Sequence, residues 1–338
     1  MELSNKIKIV AECGVNHGGD LSLAKKYIDE AYKSGADAIK FQTWLPGEIT
    51  GMFTAKCNYM QTGNGKNLSR YEISELLRLN HNQFIELKKY ADELGIEFMS
   101  TPDGLLSLKF LTENKLLKTV KIGSTEITNI PFLSEVAKVN LPIYLSTGTA
   151  SFDEVSAAIV IFRERFHDLT LMQCTSAYPC QDEYLNLNVL KQYKNAFNIS
   201  VGFSDHSIGK TASYVAIGLG AKVIEKHIYI ESDIWTPDKE TSMPIYEFKE
   251  FCCEIRRIEK MLGSNYKYLT NIEKNNLSSI RRGICASKKL KAGTIIKEDD
   301  ICLKRPFNGL DYSSIKFFIG KKLKFDKELD QPFEISDI

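Results

Sequence analysis

The chain has 338 residues, 43% hydrophobic and 26% charged, an ordinary globular composition long enough for one large domain or two unequal ones. Forty-four basic against 43 acidic residues leave a formal net charge of +1. That balance excludes a whole-protein field for nucleic acid or an anionic membrane and makes any anion handling local. No apolar run approaches the roughly 20 residues of a membrane helix, and MELSNKIKIVAECG has no cleavable signal pattern, so a cytoplasmic address is expected.

Short β-branched or apolar runs, each followed by a longer amphipathic stretch, repeat through the first 230 residues. In chain order they are Ile7 to Glu12, Ala38 to Thr43, Ile96 to Thr101, Thr119 to Ser124, Pro142 to Thr147, Leu169 to Thr175, Ile199 to Asp205 and Lys222 to His227. After the first, Asp20 can N-cap a helix, Leu21, Ala24, Ile28 and Ala31 recur at helical spacing, and Gly35 can end it. Eight such units predict a (β/α)8 TIM barrel of about 250 residues, and no GxGxxG follows the first strand to suggest an open dinucleotide-binding sheet. Leu45 to Tyr71 is too long for a βα loop and reads as an insertion over the barrel mouth. The domains expected are a barrel over 1–262, a polar linker over 263–280 and a small module of strands and turns over 281–338. The module's weak independent core predicts docking, on the barrel or on another copy of the chain.

Each run ends in polar or ionisable residues, and in a barrel those ends form the catalytic face. Lys40 and Gln42, two apart on one strand, point the same way, into the barrel. Lys121 comes from another strand. With the hydroxyls of Thr101, Ser124, Ser146 and Ser204, these lysines suit a small, highly charged anion such as a phosphate ester; a salt bridge to Glu12 or Glu126 is the plain structural alternative. His206 and His227 end the seventh and eighth runs and become neighbours on closure, a pair fit for a divalent transition metal with positions left for water or substrate. Asp238, beyond the eighth run, can hydrogen-bond a hydroxylated ligand or support such a metal site. His17, flanked by glycines, is either a ligand-facing group or a turn residue capping the helix. The eight cysteines include no CxxC, and Cys252 with Cys253 reads as core filler of a helix.

The motifs AECGVNHGGDLSLAKKYIDEAYKSGADAIKFQT, MSTPDG, KIGSTEITN, LSTGTA, QCTSAYP, VGFSDHSIG and IEKHIYI, in that order, resemble the sialic acid synthase family, including legionaminic and pseudaminic acid synthases. LKAGTIIKEDDICLKRPFNGL is similar to that family's small antifreeze-protein-like (SAF) domain. The resemblance implies a carbon-carbon bond-forming transferase (EC 2.5.1) that condenses phosphoenolpyruvate with N-acetylmannosamine or a related aldose. The products are a nine-carbon 2-keto-3-deoxy acid and phosphate, and the ion is Mn2+, with Mg2+ or Co2+ as substitutes. Carried over position by position, Lys40, Thr101, Lys121, Ser124, Ser146, Ser176, Tyr178 and Ser204 hold phosphoenolpyruvate, and His206 and His227 hold the metal. Gln42, Tyr178 and Asp238 surround the sugar, with Arg305 reaching in from the partner of a homodimer. Lys121 anchors the reaction and Glu12 handles the proton or steadies the developing cation, with Glu126 as its rival. GVNHGG resembles the sialic and legionaminic branches, whereas SIRRGICASKK resembles the legionaminic and pseudaminic ones, which leaves open N-acetylmannosamine, its 6-phosphate or a 2,4-diacetamido-2,4,6-trideoxyhexose. A barrel aldolase working through a lysine Schiff base is the remaining enzyme class.

Overall fold

The computed structural model describes residues 6–338. Eight parallel strands form the barrel of the first unit: β1 (Lys8–Gly14), β2 (Ala38–Thr43), β3 (Glu97–Pro102), β4 (Val120–Ile122), β5 (Ile143–Ser146), β6 (Leu169–Gln173), β7 (Ser200–Asp205) and β8 (Val223–Tyr229), and a two-residue strand, Met243–Pro244, adds to β8. They ladder in the order β3-β2-β1-β8-β7-β6-β5-β4, with β3 and β4 side by side across the seam, so the sheet is a nearly closed (β/α)8 barrel. Each predicted run lies on one of these strands.

Alternation along the strands builds two cores. Outward residues such as Ile9, Phe41, Leu171 and Phe203 pack against helix residues including Ala24, Ile28, Phe248 and Phe251. Inward, Val10, Ala38, Met99, Met172 and Val223 form a separate apolar cluster. One step further along the same inward faces come Glu12, Lys40, Thr101, Ser204 and Glu225. The apolar cluster is therefore the plug beneath the polar layer. Pairing places Glu12 beside both Lys40 and His227, and Ser204 beside Glu225.

The first helix, Leu21–Ser34, starts and stops where the sequence indicates. The Asp20 side chain accepts from the Leu23 amide at 2.7 Å, and Gly35 closes the helix in the left-handed conformation at φ 86°. A third buried strand lysine, Lys226, points outward and meets Asp205 at 3.1 Å, with neither side chain more than 1% exposed. Asp205 also accepts from the hydroxyls of Ser207 and Ser213, both at 2.6 Å.

The boundary between the two compact units falls between Gly263 and Ser264. Residues 263–280, expected as a linker, contain the helix Asn271–Ile280; Thr270 and Glu273 cap it reciprocally, a local signal its polar composition obscured. The second unit has two antiparallel strands, Gly283–Ala286 and Ile301–Lys304, and a core of Ile284, Leu290, Ile296, Phe318, Leu323 and Phe333. Cys252 is buried but Cys253 is exposed, correcting the expectation that both fill the core, because adjacent helical residues point about 100° apart.

Candidate active site

The polar layer forms the floor of a cavity of about 460 Å3 at the carboxyl ends of the strands. Lys40 Nζ lies 3.0 Å from Glu12 Oε2 and 3.6 Å from Glu225 Oε2, and donates to Thr101 Oγ1 at 3.0 Å. Lys121 Nζ donates to Ser146 Oγ at 2.7 Å and lies 3.7 Å from Glu225 Oε1. Ser204 Oγ donates to that same Glu225 oxygen at 2.9 Å, and Gln42 Nε2 reaches Glu12 Oε1 at 3.3 Å.

Burial and charge separate the two carboxyl groups. Burial raises the Glu12 carboxyl to about 8 against the opposing pull of Lys40. Glu225 is equally buried, but Lys121 and Lys40 together outweigh desolvation and hold it low. Burial lowers the Lys121 ammonium, whereas Glu12 and Glu225 overcome burial at Lys40 and raise it. Glu12 is thus biased toward its protonated form, while Glu225 is the carboxylate that Lys40 and Lys121 share. That bias favours an anion beside the two lysines. Asp103 also lines the cavity, its carboxyl pushed by burial to about 7.

His206 and His227 stand at the wall with ring centroids 5.5 Å apart. His206 donates from Nδ1 to the Thr175 carbonyl at 2.8 Å, which leaves its Nε2 lone pair toward Ser204 Oγ, 3.5 Å away. His227 Nδ1 is buried without a hydrogen-bond partner, 3.7 Å from Asp238 Oδ2. Burial lowers both imidazoles and keeps them neutral, the form that ligates metals. A carbonyl-anchored imidazole beside one with an orphaned nitrogen fits a divalent cation. Among the described residues no group of three or more His, Cys, Asp or Glu side chains gathers for a metal, so the pair would leave the other coordination positions to water or substrate.

Asp238 arrives on the loop after β8, and that loop is tied down by Asn16, a residue the sequence reading passed over. Asn16 Nδ2 donates to the Ile228 carbonyl at 2.9 Å and to Ser242 Oγ at 2.8 Å, while its Oδ1 accepts from Thr236 Oγ1 at 2.6 Å. Ser242 in turn donates to the Asp238 carbonyl at 2.7 Å. Gly14, at φ +53°, leaves the space where this loop meets the floor: a Cβ there would lie 2.9 Å from Asp238 Oδ2 and 3.3 Å from Glu12 Oε1. His17 is the turn residue of its two readings. It is fully buried, its Nδ1 accepts from the Gly19 amide at 3.0 Å, and it does not line the cavity.

Of the remaining candidates, Ser124, Glu126 and Tyr178 line the cavity. The Tyr178 ring stacks obliquely on His206 with centroids 4.3 Å apart. Glu126 Oε2 accepts from Asn129 at 2.6 Å. Ser176 is exposed outside the lining and reaches it only through Ser124 Oγ, 3.1 Å away. Arg305 belongs to the second unit, where its Nε donates to the Ile280 carbonyl at 2.6 Å. Glu225 was legible as a strand-end acid two residues before His227, but nothing in the sequence showed that it bridges both lysines. The insertion Leu45 to Tyr71 contributes Ile49, Thr50, Met60 and Arg70 to the lining, and the helix Arg70–Leu77 that begins at its end adds Ile73, Ser74 and Leu77.

The assembly of lysines, acids and histidines at one barrel mouth has counterparts among known proteins. The N,N'-diacetyllegionaminic acid synthase of Campylobacter jejuni is 37% identical over 319 residues, 94% of this chain and 95% of that one. The human N-acetylneuraminate-9-phosphate synthase is 33% identical over 329 residues, 95% and 90% of the two chains. The crystal structure of the N-acetylneuraminic acid synthetase of Leptospira borgpetersenii serovar Hardjo-bovis, in complex with citrate, covers 81% of this chain and 90% of its own at a TM-score of 0.69 and 31% identity. The model of the NeuB family matches residues 27–267, most of the barrel that carries the lysine floor and both histidines, and the chain belongs to this family of sialic acid-type synthases.

Proposed function

We propose that the protein is a nonulosonic acid synthase that condenses phosphoenolpyruvate with N-acetylmannosamine or a related 2-acetamido aldose, releasing phosphate. This is a carbon-carbon bond-forming transferase reaction of class EC 2.5.1. The observation that carries the reading is the pair of buried lysines, Lys40 and Lys121, set with Thr101, Ser146 and Ser204 beside Glu12, whose carboxyl burial raises. Phosphoenolpyruvate is a small multiply charged anion, and this floor supplies the charge and hydroxyls to hold it with its C3 toward an aldehyde.

C3 attacks the aldehyde carbon, and the aldehyde oxygen takes up a proton, with Glu12 as the donor. C2 becomes cationic, with Glu225 as the anion of the floor. Water adds at C2 and gives up a proton, and the tetrahedral adduct loses phosphate by C–O cleavage to leave the 2-keto acid. A divalent ion held by His206 and His227, Mn2+ foremost, would supply polarisation of the aldehyde oxygen. Asp238 and Gln42, which line the same cavity, would meet sugar hydroxyls.

The reading extends to a homodimer in which Arg305, on an antifreeze-protein-like second unit, enters the partner's site, and to a cytoplasmic enzyme. No helix of the described residues is long and apolar enough to cross a membrane. The deciding experiment measures phosphate release from phosphoenolpyruvate with Mn2+ and a panel of mannosamine derivatives; no release with any aldose overturns the reading. Lys121, lowered by burial, favours a Schiff-base aldolase as the second reading. Chelator-insensitive borohydride trapping of a lysine adduct would select it.

A further inference from the structure

We propose that the buried ion pair on the outer face of the barrel, Asp205 with Lys226, positions His206 and His227 from behind and so sets how tightly the two imidazoles hold a divalent cation. This rests on the metal reading of the histidine pair above and names residues that act through it. Asp205 and Lys226 are cross-strand partners in the register of β7 and β8, on the rung after Ser204 and Glu225. Side chains alternate across a strand, so this rung faces away from the cavity that Ser204, Glu225 and both histidines line. Each member of the pair is one peptide bond from a candidate ligand: Asp205 precedes His206, and Lys226 precedes His227.

The pairing of β7 with β8 ends at this rung, one residue short of the histidines. His227 is still held by pairing with Glu12 on β1, whereas His206 lies past the end of its strand. What carries the alignment onward is a double grip on Ser207, the next residue. The Asp205 carboxylate accepts from the Ser207 amide at 2.8 Å and from its hydroxyl at 2.6 Å, while Lys226 Nζ donates to the Ser207 carbonyl at 2.5 Å. Ser213 Oγ, on the helix Thr211–Gly218, anchors the other carboxylate oxygen at 2.6 Å. The His206 backbone is thereby clamped on both sides, and its own carbonyl accepts from the Cys180 amide and Thr241 Oγ1, both at 2.9 Å.

Stability does not account for the pair. Two charges buried in the barrel wall lose their hydration, and an apolar pair of similar volume is often as stable or more so. An apolar pair cannot hold the amide, hydroxyl and carbonyl of one residue at once. Those directional bonds are what a carboxylate and an ammonium supply here. A site with two protein ligands has little redundancy, and its geometry must be kept to about 0.5 Å by the groups that support it.

The test uses the full-length wild type, the double variant Asp205→Leu with Lys226→Met, and Ser213→Ala. For each, Mn2+ affinity is measured by calorimetry without substrate, the visible absorption of bound Co2+ is recorded at saturation, and Tm is taken. The double variant is expected to keep a Tm near that of the wild type, to bind Mn2+ more than tenfold more weakly and to shift the Co2+ spectrum. Ser213→Ala, which frees one oxygen of Asp205 and spares the ion pair, is expected to weaken Mn2+ binding about threefold. A folded double variant with wild-type Mn2+ affinity and Co2+ spectrum overturns the inference and leaves the histidine site standing. If the double variant does not fold, an unchanged affinity and spectrum in Ser213→Ala overturns it. A wild type that binds neither ion removes the metal reading and this inference together, while phosphate release decides the synthase reading separately.

Discussion

Glu12 on β1 and Lys40 on β2 meet at 3.0 Å inside the barrel, with side-chain exposures of 1% and 3%. The register of the two strands places these residues directly side by side. Replacing Lys40 by Met leaves Glu225 with less compensation in a buried site. The expected cost is about 3 kcal/mol of folding stability, at the low end for a broken buried pair because burial biases Glu12 toward its neutral form, measured by denaturant unfolding without substrate. Unchanged stability would mean that water reaches the floor and screens it.

Lys121 has the opposite balance, lowered by burial and bonded to Ser146. Lys121→Ala is expected to lower kcat/KM for phosphoenolpyruvate about 100-fold, the scale of losing one preorganised donor to a developing anion. Near-native turnover would remove Lys121 from the anion site.

The raised carboxyl of Glu12 sets a pH dependence. As donor, Glu12 must be protonated in the free enzyme, so kcat/KM is expected to hold through neutrality and fall above pH 8, the value to which burial brings it. Glu12→Gln should abolish that alkaline limb along with most activity, while Glu126→Gln should keep the limb. A profile that rises through pH 8 would assign Glu12 as the anion instead.

The histidine pair is tested by ion binding alone. His227→Ala and His206→Ala should each weaken Mn2+ affinity more than tenfold by calorimetry without substrate, and chelator should abolish phosphate release by the wild type. Wild-type and variant proteins binding Mn2+ equally would place the ion elsewhere.

Asn16 holds the loop that carries Asp238 through three hydrogen bonds. Asn16→Ala is expected to raise amide exchange across residues 230–242 and to raise KM for the aldose about tenfold, with a smaller effect on KM for phosphoenolpyruvate. A loop that stays protected would show that Ser242 and Thr241, whose Oγ1 donates to the His206 carbonyl at 2.9 Å, suffice to hold it.

The strands were legible because their hydrophobic runs and polar ends repeat in step with the sheet, and the inward pointing of Lys40 and Gln42 followed from that period. What could not be read were relations between strands. Glu225 became a bridge to two lysines only through registers that no local pattern encodes, and Asn16 acts on residues more than 200 positions away. The helix Asn271–Ile280 was missed for the reverse reason: its capping box was plain, but no apolar face signalled it, and it buries no residue.

Lys226 lies between Glu225 and His227 yet faces the other way, toward Asp205. A slip of one residue in β8 would exchange their faces, thrusting a third ammonium among Lys40 and Lys121 and driving a carboxylate and an imidazole into the apolar layer under the helices. The stranded ammonium and carboxylate would each cost several kcal/mol. The arrangement therefore proofreads assembly. When the last-made strand of the barrel docks beside the first, its alternating side chains oppose the one-residue slips that would swap the faces of Glu225, Lys226 and His227.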